Sequence, residues 1–283
     1  MARPIAALSL IPLLFMTRLP TMEESGRIGF FSTVFKNYHP ESTLEAVCRR
    51  TGYKMEPWDL PTHSYVLQNE TWTVYVPSSY RPDRPYGLLV WISSGENGSI
   101  PRDWMPIMEK HRMIWIAADN SGNLRSQYGR RIPLAMDAVY NMTKLYTIDP
   151  DRITISGFSG GGRTASIAAL NYPDIFPRGL FIAGVSYWEE LPIPSQGNMD
   201  WVPGMAEPNS QSLALVKEKS RLVLVTGDKD INREQTKTYY QTWYKKHTNR
   251  TLYLQVPRMR HELPPAEWLD KALSFLDEPL SGS

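Results

Sequence analysis

Apolar residues recur along this chain with two different periods, and the alternation between them predicts its elements. Short runs rich in Val, Ile, Leu, Trp and Thr at 71–76, 87–92, 113–117, 152–156, 180–185, 221–225 and 251–256 read as strands. Several are continuously apolar, as expected of strands buried on both faces. Between them the spacing lengthens. Ile132, Ala135, Met136, Val139 and Tyr140 fall at i, i+3, i+4, i+7 and i+8, marking one face of a helix over 132–143. Further helices are predicted at 163–170, rich in small residues, at 233–247, and at the C-terminal end, where Leu269, Ala272, Leu273 and Leu276 share a face. Strands separated regularly by helices imply an α/β fold, with a mostly parallel central sheet and helices on both faces.

Nothing divides the chain: no internal repeat, low-complexity tract or Gly/Ser linker interrupts the 283 residues, so one domain is expected. Residues 63–279 form its body, with a short irregular insertion at about 186–210 that carries Tyr187, Trp188 and Trp201. Residues 23–62 read as an N-terminal extension holding a short helix with Leu44, Val47 and Cys48, headed by Ser42 and Glu45 at capping-box spacing. Before it, the apolar run from Ile5 to Met16 has the length of a signal-peptide core and is too short to span a membrane. The run marks an exported, secreted or periplasmic protein if it is a signal peptide. If Met22 is the true start, the protein is cytoplasmic.

Charge and cysteine content narrow the chemistry. With 31 Lys and Arg against 29 Asp and Glu, and no dense basic tract, a nucleic-acid surface is not expected. The single cysteine, Cys48, excludes an intrachain disulfide, a multi-thiolate zinc site and a CxxC redox pair. No HExxH or clustered ligand set is visible, so neither metal nor organic cofactor is expected.

The sharpest local feature is Gly157-Phe158-Ser159-Gly160-Gly161, a G-x-S-x-G pattern lying between a predicted strand and a predicted helix. A serine there sits on a turn so tight that its neighbours must be small, with Oγ projecting above the sheet at a helix N-terminus. The Gly160 N–H and the helix dipole are then placed to stabilise a developing oxyanion. The competing reading is a Gly-rich turn that packs closely or cradles phosphate, but neither G-x-G-x-x-G nor the P-loop lysine is present.

A serine hydroxyl needs a base, and the base needs an orienting acid. Of the five histidines, His261 alone lies in the loop after the last strand; His247 and His111 fall at predicted helix C-termini, where a cation complements the dipole. The loop after 221–225 offers two acids, Asp228 and Asp230. Asp230 lies deeper in the loop and is favoured, with Asp228 placed to cap the turn or the following helix, and Asp119 a weaker candidate because it precedes the serine. Ser159, Asp230 and His261 thus form the expected catalytic set.

The lead-in Ile148-Asp149-Pro150-Asp151-Arg152-Ile153, the elbow through Gly162, and the tail from Val256 to His261-Glu262-Leu263-Pro264 resemble the α/β-hydrolase superfamily, in particular its polyhydroxybutyrate-depolymerase-like and feruloyl-esterase-like serine esterases. The resemblance spans about residues 70–277. It implies an α/β-hydrolase fold and a carboxylic ester hydrolase forming an acyl-enzyme on Ser159. Where many members carry a His-Gly pair after the third strand, this chain reads Ser93-Ser94-Gly95-Glu96. The second oxyanion donor is therefore expected from Ser94 or Gly95.

Phe158, Tyr187 and Trp188 are candidates to line a pocket for a small-molecule or polymeric ester. The aromatic stripe Tyr239, Tyr240, Trp243 and Tyr244 is expected to be core packing instead. Two other functions fit the residues: a serine peptidase on the same fold, since esters and amides are cleaved with the same parts, and a non-catalytic binding protein that retains the fold.

Overall fold

In a computed structural model, residues 26–59, 61–197, 199–248 and 250–278 are described; the apolar run at 5–16 lies outside them. The strands are β1 (Gly29–Thr33), β2 (Trp72–Val76), β3 (Tyr86–Ile92), β4 (Met113–Ala118), β5 (Ile148–Phe158), β6 (Arg178–Ile182), the two-residue pair β7 (Leu191–Pro192) and β8 (Asp200–Trp201), β9 (Arg221–Gly227) and β10 (Thr251–Val256). Eight of these make one sheet in the order β1-β2-β4-β3-β5-β6-β9-β10. From β4 to β10 all neighbours are parallel; β1 and β2 run antiparallel at one edge.

The helices are α1 (Leu44–Thr51), α2 (Met105–His111), α3 (Ile132–Leu145), α4 (Gly160–Asn171), α5 (Ser210–Lys219), α6 (Arg233–Tyr239), which runs through a π turn at Tyr240–Tyr244 into α7 (Lys245–His247), and α8 (Ala266–Asp277). Successive side chains of a strand point to opposite faces, and β3 shows the result. Leu88, Val90 and Ile92 pack in the cluster that also takes in α1, α3 and α4, whereas Leu89 and Trp91 pack in the cluster with α2 and α8. Every residue of β2, β3, β4 and β9 is buried, which accounts for their unbroken apolar runs. The fold is an α/β-hydrolase sheet in a single domain.

Several sequence expectations are corrected. The helix at 44 is capped by Thr43, whose side chain accepts from the Ala46 N–H; Ser42 instead donates to the His39 carbonyl and contacts His63 Nε2. The N-terminal segment contributes more than that helix, because β1 pairs with β2 along its whole length. Its pattern is concealed: Phe31 and Thr33 are buried, but Phe30, on the outer face of an edge strand, is 56% exposed. The helix α5 was not apparent in the pattern either, since of its ten residues only Ser212 and Val216 are buried. The aromatic stripe is packing as expected: Tyr239, Trp243 and Tyr244 are buried, and Tyr240 stacks on Tyr253.

At the N-terminal end of the parallel strands a cavity of about 650 Å³ is lined by Arg84, Lys110, His111, Arg152 and Asp277 among others. Its charges engage one another: Asp277 is paired with His111, Arg152 and Arg178, fastening α8 to the sheet. It lies at the opposite end of β5 from Ser159. Among the described residues no helix is long and apolar enough to cross a membrane.

Candidate active site

Ser159 joins β5 to α4 with φ 56° and ψ −121°. A non-glycine residue in that region stores about 1–3 kcal/mol of backbone strain and needs surroundings that hold it. Those surroundings are here. The Ser159 N–H donates to the Ile182 carbonyl at 2.8 Å, and the Ser159 carbonyl accepts from the Arg163 N–H at 3.0 Å. Close approach sets the neighbouring glycines: a Cβ on Gly161 would stand 2.0 Å from the Ile92 carbonyl oxygen, and one on Gly184 would stand 2.2 Å from that of Ser159.

His261 arrives in the loop after β10. That loop is fastened to the one after β9, with the Asp228 N–H donating to the Val256 carbonyl and the Lys229 N–H to the Met259 carbonyl, each at 3.0 Å. Gly227 permits this approach, since a Cβ there would lie 2.0 Å from the Met259 oxygen. Beyond His261, the Trp104 indole N–H donates to the Pro264 carbonyl at 3.3 Å. The ring is thereby delivered to Ser159 with Nε2 2.9 Å from Oγ and Nδ1 3.0 Å from Asp230 Oδ1. A carboxylate oxygen accepts, so Nδ1 is the protonated nitrogen and Nε2 accepts from the serine hydroxyl. The Asp230 side chain is fully buried, and that of His261 is 28% exposed.

The two acids of the β9 loop are separated by this geometry. Asp230 Oδ1 takes both His261 Nδ1–H and the backbone N–H of Asn232, at 2.8 Å. The turn-capping role expected of Asp228 therefore falls to Asp230 as well. Asn232 is in turn held by its own amide, which donates to the Ala183 carbonyl at 2.8 Å and accepts from Arg163 at 3.3 Å. Asp119 lies elsewhere, accepting from Thr71 and Thr73 hydroxyls and from the Gly98 N–H.

Around the serine, Gly160 is the first residue of α4, so its N–H has no intrahelical acceptor. In the loop after β3 the two candidate donors differ. The Gly95 N–H is already engaged by Ser93 Oγ at 3.1 Å, which removes it from the set, while Ser94 is bound through its carbonyl by the Asn123 N–H at 3.1 Å. Of the aromatic candidates, the Phe158 ring stands 4.9 Å from that of His261. Tyr187 is 1% exposed and packs between Trp188 and Tyr239, so it belongs to the core; Trp188 is half-buried, edge-on to Trp243.

One residue beneath the site had no sequence signal. Arg131, 2% exposed, donates to the carbonyls of Ser121, Ser93 and Gly160 and to Asn123 Oδ1, at 2.9, 2.8, 3.4 and 3.3 Å. Burial lowers its pKa to about 10. A buried cation without a carboxylate partner among these bonds is unusual; here it ties three loops around the serine to one guanidinium.

The fold and family comparisons define a serine hydrolase of the α/β-hydrolase fold. The model of the prolyl oligopeptidase family matches residues 130–283, more than half of the chain, and the chain belongs to that family. Among solved structures it is similar to an S-formylglutathione hydrolase from Staphylococcus aureus, at 12% identity and a TM-score of 0.57 over 88% of this chain and 99% of that one. It is equally similar to a ferulic acid esterase, at 13% identity and a TM-score of 0.57 over 88% and 98%. A candidate dipeptidyl aminopeptidase IV from Bacteroides ovatus matches at 16% identity and a TM-score of 0.53, over 89% of this chain. The chain spans only 36% of that protein, and 58% of a thermostable esterase that it also matches. No protein with a curated description matches in sequence.

Proposed function

We propose that this protein hydrolyses carboxylic esters through an acyl-enzyme on Ser159. The observation that carries the reading is the relay of hydrogen-bond distances, 2.9 Å from Ser159 Oγ to His261 Nε2 and 3.0 Å from Nδ1 to Asp230. In the first half-reaction, Oγ attacks the ester carbonyl carbon as its proton passes to Nε2. Asp230 stabilises the imidazolium, and the Gly160 N–H, with that of Ser94, binds the oxyanion. Collapse breaks the carbonyl–alkoxy bond, and Nε2 returns the proton to the leaving alcohol. Water repeats the sequence on the acyl-enzyme, releasing the acid and restoring Oγ–H. Phe158, against the imidazole, is a wall of the substrate pocket.

Support for an ester over an amide comes from the near-complete span of the two hydrolase structures, one of them a ferulic acid esterase, set against 36% of the peptidase-type chain. Family membership favours a second reading, a peptidase that uses the same residues. Initial rates on p-nitrophenyl esters of increasing acyl length, beside dipeptide p-nitroanilides, decide between them. Turnover of the esters that disappears in Ser159→Ala is the expected result. Turnover confined to the anilides would establish the peptidase, and equal rates in the variant would remove Ser159 as nucleophile.

A further inference from the structure

Asn123 occupies a position that the acyl-transfer scheme has not used. Its backbone N–H donates to the Ser94 carbonyl at 3.1 Å, and its side chain packs on Gly160 so closely that a Cβ there would meet Oδ1 at 2.2 Å and Nδ2 at 2.9 Å. It thus bridges the two segments from which the backbone oxyanion donors come. The residue as a whole is solvent-exposed, and its carboxamide lies against the elbow glycine Gly160.

The chemistry of its neighbour fixes which end of the amide is free to act. Arg131 Nη2 lies 3.3 Å from Oδ1, and a guanidinium can only donate, so the oxygen is committed to it. What the carboxamide has left to offer is its NH2 group. The same guanidinium holds the Ser93 and Gly160 carbonyls, at 2.8 and 3.4 Å, so amide and backbone donors share one rigid support. A second observation creates the need. With the Gly95 N–H turned back onto Ser93 Oγ, the loop after β3 supplies fewer backbone donors than its glycine suggests.

We infer that the Asn123 carboxamide, oriented by Arg131, donates Nδ2–H to the oxyanion of the tetrahedral intermediate formed on Ser159. Asn123 is on this view a catalytic residue and Arg131 a positioning residue. The inference rests on the acyl-transfer reading of the site.

The test compares Asn123→Ala and Asn123→Asp with wild type and Ser159→Ala, on whichever p-nitrophenyl ester or p-nitroanilide the wild type turns over, together with inhibition by an aliphatic trifluoromethyl ketone. That ketone forms a tetrahedral adduct with the serine and carries the oxyanion, whereas the ground-state substrate does not. Both Asn123 variants should lose about 10²–10³-fold in kcat with KM and Tm little changed, the usual effect of deleting one such donor. The ketone should bind more weakly by a similar factor. Asn123→Asp keeps the shape and lacks the donor, so it should be no better than alanine.

Wild-type kcat in Asn123→Ala, with Ser159→Ala inactive, would overturn the inference and leave the nucleophile standing. A fall in kcat with unchanged ketone affinity, or one that follows a fall in Tm, would show a structural role and overturn it equally. A wild type that neither turns over any substrate nor binds the ketone would remove the acyl-transfer reading itself, and this inference with it.

Discussion

Asn232 donates its backbone N–H to Asp230 Oδ1 at 2.8 Å, the same oxygen that stands 3.0 Å from His261 Nδ1. The turn that follows β9 therefore fixes the carboxylate before the histidine meets it. Replacing Asp230 by Asn keeps the size and presents an amide whose NH2 can meet Nδ1 only in the wrong tautomer. The expected loss in kcat is about 10⁴-fold. Asp228→Asn should stay near wild type, because the hydrogen bond to His261 is made by Asp230 and Asp228 Oδ1 has no hydrogen-bond partner, and steady-state kinetics of the two variants side by side check the ordering.

Gly184 carries the elbow from the opposite side. A methyl group at this position would fall 2.2 Å from the Ser159 carbonyl oxygen and 2.8 Å from its carbon, both backbone atoms that cannot rotate away. Gly184→Ala should destabilise the protein by about 1–3 kcal/mol, as overpacking does, and lower kcat because the displaced atoms belong to the nucleophile. Urea unfolding with parallel activity measurements tests both.

Arg131→Met retains most of the volume and removes the donors. The Ser93 and Ser121 carbonyls would each lose a hydrogen bond in a buried setting, a cost of about 1–3 kcal/mol apiece. A lower urea midpoint at unchanged m-value is the expected signature.

His111 gives the stability a dependence on pH. Burial by itself would lower its pKa, but hydrogen bonds to Asp277 and Asp270 outweigh burial and hold it above the ordinary value of 6.5. Because the folded state binds the proton more tightly, this contribution is complete below pH 6.5 and is lost as pH rises through the raised value. Asp277 acts in the opposite sense: burial pushes its pKa up, yet bonds from His111, Arg152 and Arg178 hold it well below the usual carboxylate range. Its contribution is present above about pH 4 and is lost on acidification below that. In His111→Gln the decline of stability above pH 6.5 should flatten, as read from urea midpoints across pH 5–9.

Asp137, a fully buried residue of α3, is a further pH-sensitive group. Burial raises its pKa to about 6, only partly offset by hydrogen bonds from the Tyr65 hydroxyl and the His39 N–H, at 2.5 and 2.6 Å. A raised carboxylate favours folding most below its unfolded value and less as pH climbs through 6. Asp137→Asn should therefore be less sensitive to pH between 4 and 7, which the same urea series measures.

Periodicity alone was enough to place the strands of the parallel sheet and the helices that face it, because each buries a continuous apolar stripe that only one secondary structure can present. The strand β3, buried at every residue, was predicted over 87–92 against observed bounds of Tyr86–Ile92 for this reason. Elements with little apolar signal were lost: α5 buries two side chains, and β1 exposes Phe30 at the sheet edge. Ser159, Asp230 and His261 were legible because each follows a strand whose end the pattern marks, and the tight turn at Ser159 demands visible glycines.

Tertiary structure alone decided the rest. Which of Ser94 and Gly95 has a spare N–H depends on where Ser93 Oγ lies, and Tyr187 is a core residue because Trp188 and Tyr239 close over it. Arg131 and Asn123 show most plainly why. In one dimension they are an arginine before a helix and an asparagine in a polar loop; their meeting with Ser93, Ser94 and Gly160 is made by contacts across 29 and 38 positions of sequence for the guanidinium alone, and spacing along a chain carries no record of such encounters.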